Sequence, residues 1–144
     1  MPVLIALDYG SRRVGIAASD ESGSLATAVG VHDAATDGSL FAYLRELIAA
    51  RDARGLVVGL PLEEDGREGP AAQRVREFSR RLAAATGLPV ALVDERYSSR
   101  EADARLREGG RRRRPKWHTD AAAAEIILQQ HLDRLRAAGP EEAA

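Results

Sequence analysis

The sequence contains no cysteine in its 144 residues. That excludes disulfides and thiolate metal sites, and leaves oxygen or imidazole ligands for any bound metal. Lysine and tryptophan occur once each, at Lys116 and Trp117, and all other basic residues are arginine. A GC-rich coding bias accounts for that preference, and for the abundant alanine, without invoking phosphate recognition. Long apolar runs are missing too. The opening Met1-Pro2-Val3-Leu4-Ile5-Ala6-Leu7 has no basic leader, meets a carboxylate at Asp8, and is far too short to span a membrane. The expectation is a cytoplasmic protein with no membrane partner. Net charge is also small, −1. It is unevenly spread: from Arg96 to Lys116 nine Arg or Lys face only Glu101, Asp103 and Glu108, a local charge of about +6.

The length favours one domain with a core large enough to need no covalent staples. We expect it over residues 1–138, with 139–144 a disordered tail. Val3–Leu7 and Val14–Ser19 read as strands separated by the turn Tyr9–Arg13, and Leu25–Val31 as a third strand after the turn at Glu21–Ser24. Leu40, Phe41, Leu44, Leu47 and Ile48 recur at helical spacing, predicting a helix over 38–52. Gly55–Leu60 is a short buried strand, and residues 61–70 a Gly- and acid-rich loop. Ala71, Val75, Phe78 and Leu82 mark a second helix stopped by Gly87 and Pro89, and Val90–Val93 a fifth strand. Ser98 and Glu101 form a capping box for a helix near 98–108. Gly109–Trp117 reads as a basic loop. Thr119 is the expected N-cap of a last helix with a stripe of Ala124, Leu128, Leu132 and Leu135.

The order is β-β-β-α-β-α-β-α-α. It predicts an α/β protein: a five-stranded mixed sheet whose first three strands are antiparallel, with helices on both faces. This is the ribonuclease H-like layout. It hosts nucleases, sugar kinases and actin-like ATPases, so the layout alone does not choose a function.

Carboxylates interrupt apolar segments at three separated places. Asp8 ends the first strand, Asp94-Glu95 ends the last, and Asp120 is expected in the first turn of the last helix. Singly, each has a plain explanation: a turn at Asp8, a surface ion-pair cluster at Asp94-Glu95-Arg96, a helix dipole at Asp120. Together, in this fold, they can converge on one edge of the central strands. Gathering three acids requires a neutralising charge. Hard oxygen ligands suit Mg²⁺ or Mn²⁺, and two such ions suffice for phosphodiester hydrolysis without a nucleophilic side chain.

Four segments resemble motifs of one family. Asp8-Tyr9-Gly10-Ser11-Arg12-Arg13-Val14-Gly15-Ile16-Ala17 is similar to the opening motif of the YqgF (RuvX) family of RuvC-like nucleases. Val57-Val58-Gly59-Leu60-Pro61-Leu62 with Asp65-Gly66 and Glu68-Gly69 resembles the second motif. Asp94-Glu95-Arg96-Tyr97-Ser98-Ser99 resembles the third, and Asp120–Ala124 with Ile127-Leu128-Gln129 the fourth. The four lie in family order across nearly the whole chain.

The resemblance implies that Asp8, Glu95 and Asp120 are catalytic, metal-binding carboxylates, Glu95 rather than Asp94 being the ligand from that strand. It implies that Arg13 and Arg96 contact phosphate or orient a carboxylate, and that Gly10 and Gly15 allow close approach of substrate or backbone. It implies a nucleic-acid substrate: precursor ribosomal RNA, matured at the 5′ end of the small-subunit RNA, or branched DNA, resolved at a four-way junction by a homodimer. An actin-like ATPase is a weaker alternative, because the chain is too short for two lobes. The run Arg111, Arg112, Arg113, Arg114 and Lys116 is placed to hold phosphate backbone, with Trp117 free to stack on a base. Glu63-Glu64 departs from the family, which commonly has an amide and an apolar residue there, and argues against direct substrate contact by that loop.

Overall fold

In the computed structural model the described residues are 2–10, 12–33, 37–94 and 116–138. They form a five-stranded sheet in the order β3-β2-β1-β4-β5. The strands are β1 (Val3–Tyr9), β2 (Arg13–Ser19), β3 (Ala26–Asp33), β4 (Ala53–Leu60) and β5 (Val90–Asp94). The helices are α1 (Asp37–Arg51), α2 (Pro70–Thr86) and α3 (Lys116–Ala138). β2 is antiparallel to β1 and to β3, whereas β4 runs parallel to β1 and β5 parallel to β4. The expected mixed sheet is therefore present. No helix among the described residues is long and apolar enough to cross a membrane.

Local chemistry accounts for the joints. Gly10 N–H donates to the Arg13 carbonyl at 2.9 Å, closing the β1–β2 turn. Asp52 takes a left-handed conformation (φ 52°) and lets β4 start immediately after α1, two residues before the expected Gly55. α2 begins with Pro70 in its first turn and stops at Gly87, whose left-handed backbone (φ 72°) donates to the Ala83 carbonyl.

The two faces of the sheet carry different layers. Against one face lie α1 and α2, with Ile5, Leu7, Val14, Ile16, Leu56 and Val58 meeting Leu40, Leu44, Val75, Phe78 and Leu82. Against the other lies α3, where Ala6, Ala17, Ala26, Val57 and Val93 meet Ala124, Ile127, Leu128 and Leu132. The first layer is built from large side chains, the second largely from alanine on the sheet side.

α3 begins at Lys116, which corrects two expectations. Thr119 is inside the helix and is not its N-cap. Lys116 and Trp117 are helical rather than part of a loop. A charge run masks the start of a helix because it shows no apolar period. The predicted helix over 98–108, residues 111–114 and the tail at 139–144 lie outside the described residues.

Candidate functional site

Strand alternation decides which face each acid shares. Ala6 packs under α3, so Asp8, two residues on, belongs to that face. Asp8 is half-buried and pairs directly with Gly15 of β2. On its other side the parallel register, continued one residue past Leu7 and Val58, brings Gly59 alongside. Gly59 in turn pairs with Val93 of β5, which also packs under α3. Asp8 thus stands between two residues that have no side chain.

This placement bears on the plain explanation for Asp8. Asp20 illustrates an aspartate that serves a turn. Its carboxylate accepts from the backbone N–H of Ser24 (2.9 Å) and Leu25 (3.2 Å) and from the Ser22 hydroxyl, and these bonds hold its pKa below the ordinary value. Asp8 is a ladder residue, and a backbone bond from Gly10 to Arg13 closes the adjacent turn.

Arg13 opens β2 with an exposed side chain. It lies two residues from Gly15, on the same strand face, and so is the diagonal neighbour of Asp8. Gly10 is required for the approach of this segment: a Cβ there would sit 2.7 Å from the Arg13 carbonyl oxygen. Asp94 is exposed at the end of β5 and shares the parity of Val90 and Leu92, which pack on the α1–α2 side. It is therefore on the face opposite Asp8. Glu95 and Arg96 lie outside the described residues.

Position 120 is the fifth residue of α3, not in its first turn, and no acid occupies that first turn. The helix-dipole explanation for Asp120 loses its basis, because the effect fades beyond one turn. Gln129, farther along α3, accepts from Ala26 N–H (2.9 Å) and donates to the Ser24 carbonyl (2.8 Å). Ala26 pairs with Ser19, whose hydroxyl accepts from Leu4 N–H at 2.8 Å. Gln129 and Leu4 are thereby at one level of the sheet. From Leu4 to Asp8 the strand climbs about 13 Å. From Gln129 back to position 120 the helix covers about 13 Å as well.

The acidic loop after β4 is tied to itself. Glu63 N–H donates to the Arg67 carbonyl (2.8 Å), Asp65 pairs with Arg67 (2.6 Å), and Glu68 forms a two-pronged pair with Arg76 (2.6 and 2.7 Å). The Arg76 bond holds the Glu68 carboxyl below its usual range. Among the described residues no three acids or histidines cluster to hold a metal. Sequence reasoning gave no role to Asp33, which opposes Arg13, and gave Gly59, alongside Asp8, only a place in the second motif. The signal at Gly59 was an isolated glycine in an apolar strand.

A ribonuclease H-like domain of the RuvC type is what this strand order and layering define. Thermus thermophilus RuvC in complex with a Holliday junction substrate superposes with a TM-score of 0.58, covering 94% of this chain and 96% of RuvC, at 16% identity. A second structure of the same organism's RuvC gives 0.56 at equal coverage. The chain belongs to the RuvX family, whose model, described as Holliday junction resolvase, matches residues 2–134. Relatives named provisionally as pre-16S rRNA nucleases are similar over most of their length. One from a Nocardioides species is 45% identical, covering 95% of this chain and 91% of the relative. One from Acidiphilium cryptum is 41% identical, covering 96% and 89%.

Proposed function

We propose that the protein is a divalent-metal-dependent endonuclease that hydrolyses phosphodiester bonds in structured nucleic acid, acting on the 5′ end of pre-16S ribosomal RNA. The observation that carries it is the half-buried Asp8, on the α3 face of the central strand and flanked by Gly15 and Gly59. A carboxylate flanked on both sides by residues without side chains can accept a hard cation and the phosphate oxygens that come with it. Similarity to the provisionally named pre-16S rRNA nucleases supplies the substrate.

Asp8, Glu95 and Asp120 would hold Mg²⁺ or Mn²⁺, as one or two ions. The donor set fits: all are carboxylates, and no thiol competes. Asp120 stands on α3, the helix that covers the Asp8 face of the sheet. Position 120 also precedes Ala124 by four residues and Leu128 by eight, the stripe that covers the sheet. Asp94 falls on the opposite face, which favours its neighbour Glu95 as the third ligand. Metal bound there would supply activation of a water and stabilisation of the leaving oxygen. The chain's own part is to supply the carboxylates and to offer guanidinium charge to the phosphate. Arg13 is the described residue for that role. Arg96, Arg111–Arg114, Lys116 and Trp117 would extend the nucleic-acid contact.

A second substrate, the four-way DNA junction, is favoured by the family description and by the likeness to RuvC. It requires a two-fold dimer that places two sites on two strands.

The test is cleavage of a labelled pre-16S 5′ segment and of a four-way junction, with Mn²⁺, Mg²⁺ or chelator, alongside Asp8→Asn. Metal-dependent trimming of the RNA, lost in Asp8→Asn with the fold intact, is expected. Symmetric nicks in the junction alone would transfer the function to DNA. Cleavage that survives chelator or Asp8→Asn would overturn the metal site.

A further inference from the structure

Arg13 has a directly opposed neighbour on its far side. β2 and β3 pair antiparallel with Arg13 facing Asp33, Val14 facing His32 and Gly15 facing Val31. His32 stacks on Tyr43 of α1, with ring centroids 5.0 Å apart, and its Nε2 is 3.1 Å from the Ser39 hydroxyl. The α1 side of β3 is thereby fixed at His32, and Asp33 belongs to the α3 side with Arg13. Directly opposed residues of an antiparallel pair have Cβ atoms about 4.5–5.5 Å apart, within easy reach for an arginine and an aspartate. On one face, then, three residues follow one another across three strands: Asp8, Arg13 diagonal to it, and Asp33 beyond.

We infer that Asp33 is a positioning residue for Arg13, holding the guanidinium at the rim of the Asp8 site so that it meets a nucleic-acid phosphate. This rests on the proposed nuclease function. A guanidinium is a rigid fork with five donors. One edge can engage a carboxylate while the other remains for a phosphate oxygen. An arginine at an exposed strand end otherwise samples many rotamers, and ordering it on binding weakens the complex. Asp33 supplies that order before substrate arrives. A charge on an edge strand also discourages edge-to-edge pairing, but that role needs no arginine opposite and predicts no coupling to one.

The experiment is a double-mutant cycle with Asp33→Asn, Arg13→Ala and the pair, read in two ways. With the labelled pre-16S segment and Mn²⁺, Asp33→Asn should raise KM about three- to fivefold and leave kcat nearly unchanged. In the Arg13→Ala background the same change should have no effect on KM. Asp33→Glu should recover part of the loss. The second readout is the Arg13 Nε–Hε signal in a ¹⁵N spectrum of the free protein, which should shift in Asp33→Asn and broaden as its exchange with water speeds up.

An equal loss in both backgrounds, or an unmoved Arg13 signal, would overturn the role. Wild-type protein inactive on RNA and junction, with the Arg13 signal still dependent on Asp33, would sink the nuclease reading and leave the pairing itself standing.

Discussion

Gln129 and Ala26 lie 103 residues apart and are joined by a 2.9 Å hydrogen bond from the Ala26 N–H to the Gln129 side-chain oxygen. The amide nitrogen of the same side chain donates to the Ser24 carbonyl. One glutamine therefore pins α3 to the β2–β3 turn.

Gln129→Ala leaves a partly buried donor and acceptor without this partner. The expected loss is about 1–3 kcal/mol, read from the midpoint of urea unfolding. Gln129→Glu keeps the acceptor for Ala26, loses the donor to Ser24 and brings a second carboxylate beside Asp133. It should lie between wild type and alanine. A Gln129→Ala midpoint equal to wild type would show that the bond does not anchor the helix.

Gly10→Ala should harm both stability and activity. The new Cβ would sit 2.7 Å from the Arg13 carbonyl oxygen, so the turn must open. Overpacking of this kind costs about 1–3 kcal/mol. Because the turn joins Asp8 to Arg13, the fall in kcat/KM should exceed what unfolding explains. A displacement of about 1 Å at reacting groups can cost about a hundredfold. Cleavage assayed well below the melting temperature separates the two effects.

Neutralising Arg111–Arg114 should flatten the salt dependence of binding. For a single-stranded substrate, every phosphate that is no longer neutralised lowers the slope of log K against log salt by about 0.7. Fluorescence anisotropy across a salt series measures this. An unchanged slope would remove the run from the interface.

His131 should make the fold sensitive to mild acid. Burial first, and the Arg134 charge second, hold its pKa below the ordinary imidazole value of 6.5. The unfolded chain thus takes up the proton at a higher pH than the native one. The associated stability is complete above about pH 6.5 and declines as pH falls through that value toward the native pKa. His131→Gln should flatten urea midpoints between about pH 8 and pH 5. Parallel curves for the two proteins would contradict the assignment.

Much of this architecture is legible in the chain because period and punctuation agree. Gly87 stops α2 as expected, since only a residue free to adopt a left-handed backbone closes that helix so simply. The third strand runs to Asp33 rather than Val31, because pairing with β2, not apolar content, sets its end. The start of α3 was hidden by charge. At the site, Asp8 is visible as an acid ending an apolar run. The family resemblance already singles out Gly15, but its pairing with Asp8, and Gly59 on the other side, are not legible, because register across three strands is a tertiary fact. Asp33 was invisible for the same reason: nothing local links it to Arg13.

The two layers on the sheet also differ in how much change they can absorb. Large side chains under α1 and α2 can trade volume with one another, as packed cores often do. Ala6, Ala17 and Ala26 have no volume to give. They act as a shim of fixed thickness beneath the helix that carries Asp120. Enlarging any of them would lift that helix off the strands without changing a single acid in the sequence. Drift in sequence should therefore be free on one side of the sheet and narrow on the other.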